Sequence, residues 1–151
     1  MEILVADTSV LVGLAHVDAL AVPPRLAARA LVPPAVGEEF GSVPAGFEVR
    51  TPADRRLVAA LRLRLDAGEA EAIALAAERP DGLLVIDERA GRAVAAELGL
   101  WFTRTAGLLV LAKEAGLVGE VGPLLSVLVG AGFRLSDRVV ADALARAGEA
   151  S

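Results

Sequence analysis

A chain of 151 residues, 55% hydrophobic but only 3% aromatic, has room for one domain, residues 1–151, with a core built from Leu, Val, Ala and Ile. It has no cysteine and a single histidine, His16, which excludes disulfides, zinc–thiolate sites, thiol nucleophiles and any multi-His metal site. A net charge of −5 argues against a general nucleic-acid binder.

The first predicted element is the apolar run Ile3-Leu4-Val5-Ala6, which reads as a buried strand. It stops at Asp7, followed by Thr8, Ser9 and a helix from Val10. A carboxylate at the carboxyl end of a strand sits where open α/β sheets place ligands. It is equally a good helix cap, so Asp7 keeps both readings on this segment alone. Pro23-Pro24 then breaks the chain, Arg25 to Arg29 reads as a short helix, and Ala30 to Val32 as a second strand. Pro33-Pro34 opens a helix to Phe40, and Phe47 to Arg50 suits an edge strand. Thr51-Pro52 has the form of a cap with Pro at the first helical position, predicting a helix to about Leu65. Arg50, Arg55, Arg56, Arg62 and Arg64 fall in one fifteen-residue window with Asp54 as the single acid, either a phosphate track or a solvated helix face.

Asp66-Ala67-Gly68 reads as a turn before a helix over Glu69 to Arg79. Leu83-Leu84-Val85-Ile86 is the clearest buried strand, and it too ends in an aspartate, Asp87. Arg89 to Leu98 reads as a helix and Leu100 to Thr103 as a fourth core strand. Helices follow over Ala106–Ala115, Pro123–Ala131 and Asp137–Ala147, the last capped by Ser136. The longest uncharged stretch, Val121 to Phe133, is 13 residues with Pro123 inside, too short to span a bilayer. Glu2 and the lack of a basic start predict no signal peptide, hence a soluble cytoplasmic protein. Continuous apolar strands alternating with helices predict a three-layer α/β/α fold around a mostly parallel sheet of four or five strands.

In a parallel sheet the ends of the first and Leu83–Ile86 strands share an edge, so Asp7 and Asp87 converge. Glu39 and Glu69 sit near the starts of helices. Each acid has a plain alternative: Asp87 as cap of the helix at Arg89, Glu69 and Glu71 as favourable first-turn charges, Glu38 and Glu39 as surface residues. Together, four carboxylates without cationic partners repel one another unless a divalent cation sits among them. Hard oxygen ligands select Mg²⁺ or Mn²⁺.

On these residues the chain resembles the PIN domains, small α/β/α metal-dependent nucleases that include toxin ribonucleases of toxin–antitoxin pairs. The segment VADTSVLVGLA is similar to the family's first motif, LVPPAVGEEF to the second, LDAGEAEAIALAAE to the third and GLLVIDERAGRAVAAELGL to the fourth. A PIN-like subfamily of prokaryotic proteins also shares Asp87 with Arg92, Thr105 with Gly107, and the tail GFRLSDRVVADAL. The resemblance implies metal-binding, catalytic acids at Asp7, Glu39, Glu69 and Asp87. Glu69 fits better than Glu71, since the two lie about 200° apart on a helix of roughly 100° per residue. Thr8, Ser9, Glu71, Arg92, Arg104 and Thr105 are the possible supporting residues, with capping of the first helix falling to Thr8 or Ser9. The implied activity is Mg²⁺- or Mn²⁺-dependent hydrolysis of single-stranded RNA, with an antitoxin protein and a homodimer as implied partners. The alternative is a non-catalytic PIN-like module that binds RNA or protein. His16 reads as a polar packing or surface residue rather than a base.

Overall fold

The computed structural model describes residues 1–150. The apolar runs form the strands β1 (Ile3–Ala6), β2 (Arg29–Val32), β3 (Phe47–Val49), β4 (Leu83–Val85) and β5 (Phe102–Thr103). They make one sheet in the order β3-β2-β1-β4-β5, every neighbouring pair parallel. The helices are α1 (Thr8–His16), α2 (Val22–Leu26), α3 (Pro34–Phe40), α4 (Arg55–Leu61), α5 (Ala67–Ala77), α6 (Arg89–Glu97), α7 (Thr105–Glu114), α8 (Val121–Gly130) and α9 (Asp137–Arg146). Among the described residues no helix is long and apolar enough to cross a membrane.

Side chains alternate across a strand, and the sheet is covered on both faces accordingly. Leu4 and Ala6 of β1 pack with Leu11 and Leu14 of α1, Leu108 of α7 and Leu125 of α8. Val5, from the same strand, packs with Ile73 and Leu75 of α5 and Val94 of α6. Each such fully buried Leu or Ile contributes roughly 1.5–3 kcal/mol relative to exposure. The result is the α/β/α sandwich that continuous apolar strands imply.

Five local expectations are corrected. Pro23-Pro24 begins α2 rather than breaking the chain, because a missing N–H costs nothing in a first turn. That helix stops at Leu26, and Arg29 N–H instead donates to Glu2 O (2.9 Å) as β2 forms. The helix expected from Thr51-Pro52 to Leu65 runs only from Arg55 to Leu61, with Asp54 as its cap. Glu78 is the cause: its Oε1 accepts from the amides of Ala53 (2.6 Å) and Asp54 (3.0 Å), holding the entry segment out of helix. Asp66-Ala67-Gly68 is no free turn, since Asp66 caps α5 and the other two residues are its first. Finally, β5 is an edge strand of two residues rather than a core strand from Leu100. The Leu100 amide is still tied to Ala95 O (3.0 Å) at the end of α6.

β1 occupies the centre. The chain winds outward to β2 and β3 on one side, then returns to place β4 and β5 on the other. The winding therefore reverses between β1 and β4, and the crevice beyond their carboxyl ends is the expected ligand position in such a sheet.

Candidate active site

Asp7 leaves β1 directly into that crevice. Its amide donates to Val85 O (3.2 Å) on β4, and its carbonyl accepts from Leu11 N–H (3.2 Å) in the first turn of α1. The backbone is thus the N-cap of α1, and the expectation that Thr8 or Ser9 would cap is corrected, since both lie inside the helix. The side chain makes no cap bond to the helix interior and is only 2% exposed. Burial pushes its carboxyl from 3.8 up to about 7; the Thr8 amide opposes this, and the charges of Asp66, Glu39 and Asp87 reinforce it.

Glu39 stands at the exposed end of α3 and accepts a hydrogen bond from Thr8 Oγ1 at 3.0 Å. Its carboxylate lies over the first turn of α5, where a Cβ on Gly68 would meet Glu39 Oε1 at 2.6 Å. Glycine at 68 is what lets this carboxylate approach. Glu69 follows in the same turn, partly buried, its amide donating to Asp66 Oδ1 at 2.9 Å. Burial raises the Glu69 carboxyl from 4.5 to about 8, with the Asp66 and Asp7 carboxylates adding to the effect. Glu71 turns away, and its Oε1 accepts from the Ala35 amide (3.3 Å) at the start of α3. It ties two helices together and is not brought to the crevice.

Asp87 follows β4, as the sequence implies, but its side chain binds Thr105, the first residue of α7, rather than capping the α6 helix beginning at Arg89. Its Oδ1 accepts from Thr105 N–H at 2.8 Å and its Oδ2 from Thr105 Oγ1 at 2.6 Å. Thr105 is buried, so this carboxylate is fixed in orientation. Arg92 Nε donates to the Asp87 carbonyl at 3.1 Å. Beside Asp87 opens a cleft of about 1030 Å³ whose walls include Ser9, Arg92, Arg104 and Thr105. Ser9 Oγ is the buried side-chain polar atom without a partner among the described residues.

His16 is exposed and packs edge-on against Phe133, with ring centres 5.3 Å apart. The five-arginine window is partly neutralised, Arg50 pairing with Glu48 (3.4 Å) and Arg64 with Glu97 (3.0 Å), which favours the solvated-face reading there. Sequence reasoning missed Asp66 and Arg134. Asp66 carries a readable signal, since Asp-x-x-Glu at a helix start is a capping-box pattern. Arg134 lies on the cleft wall, brought there by the turn after α8, and no local pattern marks it.

The donor set suits a hard divalent cation: carboxylate oxygens, an unpartnered hydroxyl, and no sulfur or imidazole. Among the described residues no three such side chains yet stand close enough to hold an ion together. Asp87 is turned to Thr105 and Glu39 to Thr8. The residues fit Mg²⁺ or Mn²⁺ in chemistry, with Glu39 and Asp87 each spending oxygens on a neighbouring threonine.

A search of curated proteins gave no match. A family model described as DUF3368: PIN domain matches residues 3–149, nearly the whole chain. The parallel five-stranded sheet and its two helical layers agree with it. The chain belongs to this family of PIN domains, as its four acidic motifs imply.

Proposed function

We propose that the protein is a divalent-metal-dependent ribonuclease that hydrolyses phosphodiester bonds of single-stranded RNA. PIN domains are generally nucleases, which supports the coarse activity. The observation that carries the finer reading is Asp7. A carboxylate 2% exposed, at the reversal point of the sheet, feels the charges of Asp66, Glu39 and Asp87 and makes no ion pair among the described residues.

Asp7 and Asp87 would hold the ion, with Glu39 and Glu69 completing its shell directly or through water. A bound Mg²⁺ or Mn²⁺ supplies a Lewis acid for a phosphoryl oxygen and lowers the pKa of water. The chain's own residues set the geometry. Thr105 fixes both oxygens of Asp87, Thr8 steers Glu39, and Asp66 pins the amide of Glu69. Arg92 and Arg104, on the cleft beside Asp87, offset phosphate charge. A toxin role, an antitoxin partner and a homodimer belong to the same proposal. The half-exposed Val127 and Val129 on α8 offer apolar surface for such a partner.

The test is Mn²⁺ titration calorimetry together with cleavage of single-stranded RNA, comparing the parent with Asp7→Asn. Loss of both in the variant supports the reading, and equal binding and cleavage overturn it. The two-point tie between Asp87 and Thr105 favours a second reading, a non-catalytic RNA- or protein-binding module in which Asp87 is structural. Absence of Mn²⁺ binding at millimolar concentration would select it.

A further inference from the structure

Fourteen of the fifteen basic side chains are arginines, and two groups of four among them differ in their surroundings. Arg29, Arg50, Arg64 and Arg79 are paired with carboxylates. Arg89, Arg92, Arg104 and Arg134, none of them in an ion pair among the described residues, all line the cleft beside Asp87. They come from α6, from the cap of α7 and from the turn after α8, so three separate segments bring like charges to one cleft. Asp87 and Glu88 line the same cleft, so four guanidinium groups stand against two carboxylates, and the excess positive charge favours a further anion. Burial lowers the Arg92 pKa and Arg104 and Arg89 add to this, while Asp87 and Glu88 oppose it.

The same cleft has apolar lining. Phe133 and Leu135 contribute it, and the Phe133 ring is braced by His16 and lies close to Gly13. A cleft lined by both guanidinium groups and an aromatic ring matches the phosphates and bases of a nucleic-acid strand with unpaired bases. A duplex would bury its bases and leave the aromatic ring unmatched. Overall acidity, at −5, disfavours nucleic acid everywhere else on the surface.

We infer that this cleft is a single-strand track: Arg89, Arg92, Arg104 and Arg134 hold successive phosphates while Phe133 receives a base, carrying the strand to Asp87. This rests on the nuclease reading for taking the strand to be substrate, but binding itself requires neither metal nor cleavage.

The test is fluorescence anisotropy of the full chain with a short labelled oligouridylate in EDTA, over a salt series. The parent should bind it more tightly than a duplex of the same length. Arg104→Ala and Arg134→Ala should each flatten the plot of log affinity against log salt by about 0.7, the share of one phosphate contact on a single strand. Arg55→Ala, an exposed arginine on α4, should leave the slope unchanged. Phe133→Leu keeps the apolar packing and should weaken binding about fivefold with no change of slope. An unchanged slope in both arginine variants, duplex binding as tight, or equal displacement by an oligoglutamate peptide would overturn the track. If Asp7→Asn shows the nuclease reading wrong while the slopes behave as stated, the track stands as a binding site.

Discussion

Two carboxylates sit at helix amino termini in opposite surroundings. Glu149, beside the start of α8, accepts from Lys113 Nζ and the Val121 amide through Oε2 and from the Gly122 amide through Oε1, each at 2.8 Å. Lys113, with these amides, holds its carboxyl down at about 2. Asp7, at the start of α1, is buried among other acids and pushed up to about 7. A helix terminus favours negative charge by only about 0.3–1 kcal/mol, so the helix does not explain the contrast. The neighbours do. Glu149 has every donor it needs from within the chain and fastens the tail to α7 and α8. Asp7 has a single amide and several negative charges around it, the surroundings on which its proposed role as a cation ligand rests.

Exchanging the charge at each position breaks the comparison most sharply. Asp7→Asn should cost at least about a hundredfold in Mn²⁺ affinity and in RNA cleavage, beyond what loss of a supporting partner costs. The same variant should be more stable than the parent in EDTA at alkaline pH, because a buried repelled charge is gone. Glu149→Gln should do the reverse, lowering Tm while calorimetry shows Mn²⁺ binding intact.

The pH dependence of stability separates the two by sign. A carboxyl raised on folding takes up protons in the native state, so Asp7 leaves stability unaffected below its unfolded value of 3.8. Stability then falls as pH rises towards about 7 and is flat above. The full loss is on the order of 4 kcal/mol for a shift of this size. Glu69 acts in the same direction, in a window reaching about 8. Glu149 acts oppositely: its contribution is complete above 4.5 and disappears as pH drops towards about 2. Urea melts in EDTA should show a stability maximum at pH 4 to 5 and a decline to neutrality that Asp7→Asn flattens. A parent curve that climbs through that range contradicts the assignment. Mn²⁺ should flatten it as Asp7→Asn does.

Smaller changes sharpen the picture at its edges. Thr105→Val removes the hydroxyl that holds Asp87 and should cost about 1.5–3 kcal/mol in stability, as for other hydrogen bonds to charged groups. It should also lower Mn²⁺ affinity about ten- to hundredfold if orientation of Asp87 matters for binding. Gly68→Ala gives the smallest and most selective effect. Alanine suits a helix better by about 0.5–1 kcal/mol, but its methyl displaces the mobile end of Glu39. Tm should rise slightly while Mn²⁺ affinity falls severalfold; an unchanged affinity would remove Glu39 from the site.

The parts of this arrangement legible in the sequence are those governed by contiguous pattern. An apolar run followed by aspartate placed Asp7 and Asp87 at neighbouring strand ends, because burial on both faces leaves no alternation to confuse. Helix starts were harder wherever a distant side chain intervened. Thr51-Pro52 has every local mark of a helix opening, yet Glu78, on the far side of α5, claims the next two amides. Asp66 was hidden inside what reads as a turn, although its spacing to Glu69 is that of a cap. The partner of Asp87, eighteen residues on at Thr105, is set by the pairing of β4 with β5. Arg134 reaches the cleft only because α8 folds back over α1 and α7. Chain-local rules carry no information of that kind.

A sheet this apolar has one further problem, at its two open edges, of which β3 is the longer. β3 pairs only with β2, leaving its outer row of amides and carbonyls free to accept a strand from another molecule. Glu48, the middle residue of β3, is flanked by Arg29 (3.1 Å) and Arg50 (3.4 Å) in a charged cluster. An incoming strand would have to strip water from those three ions, and β3 is only three residues long. That short charged rim makes β3 a poor template for edge-to-edge pairing with another copy.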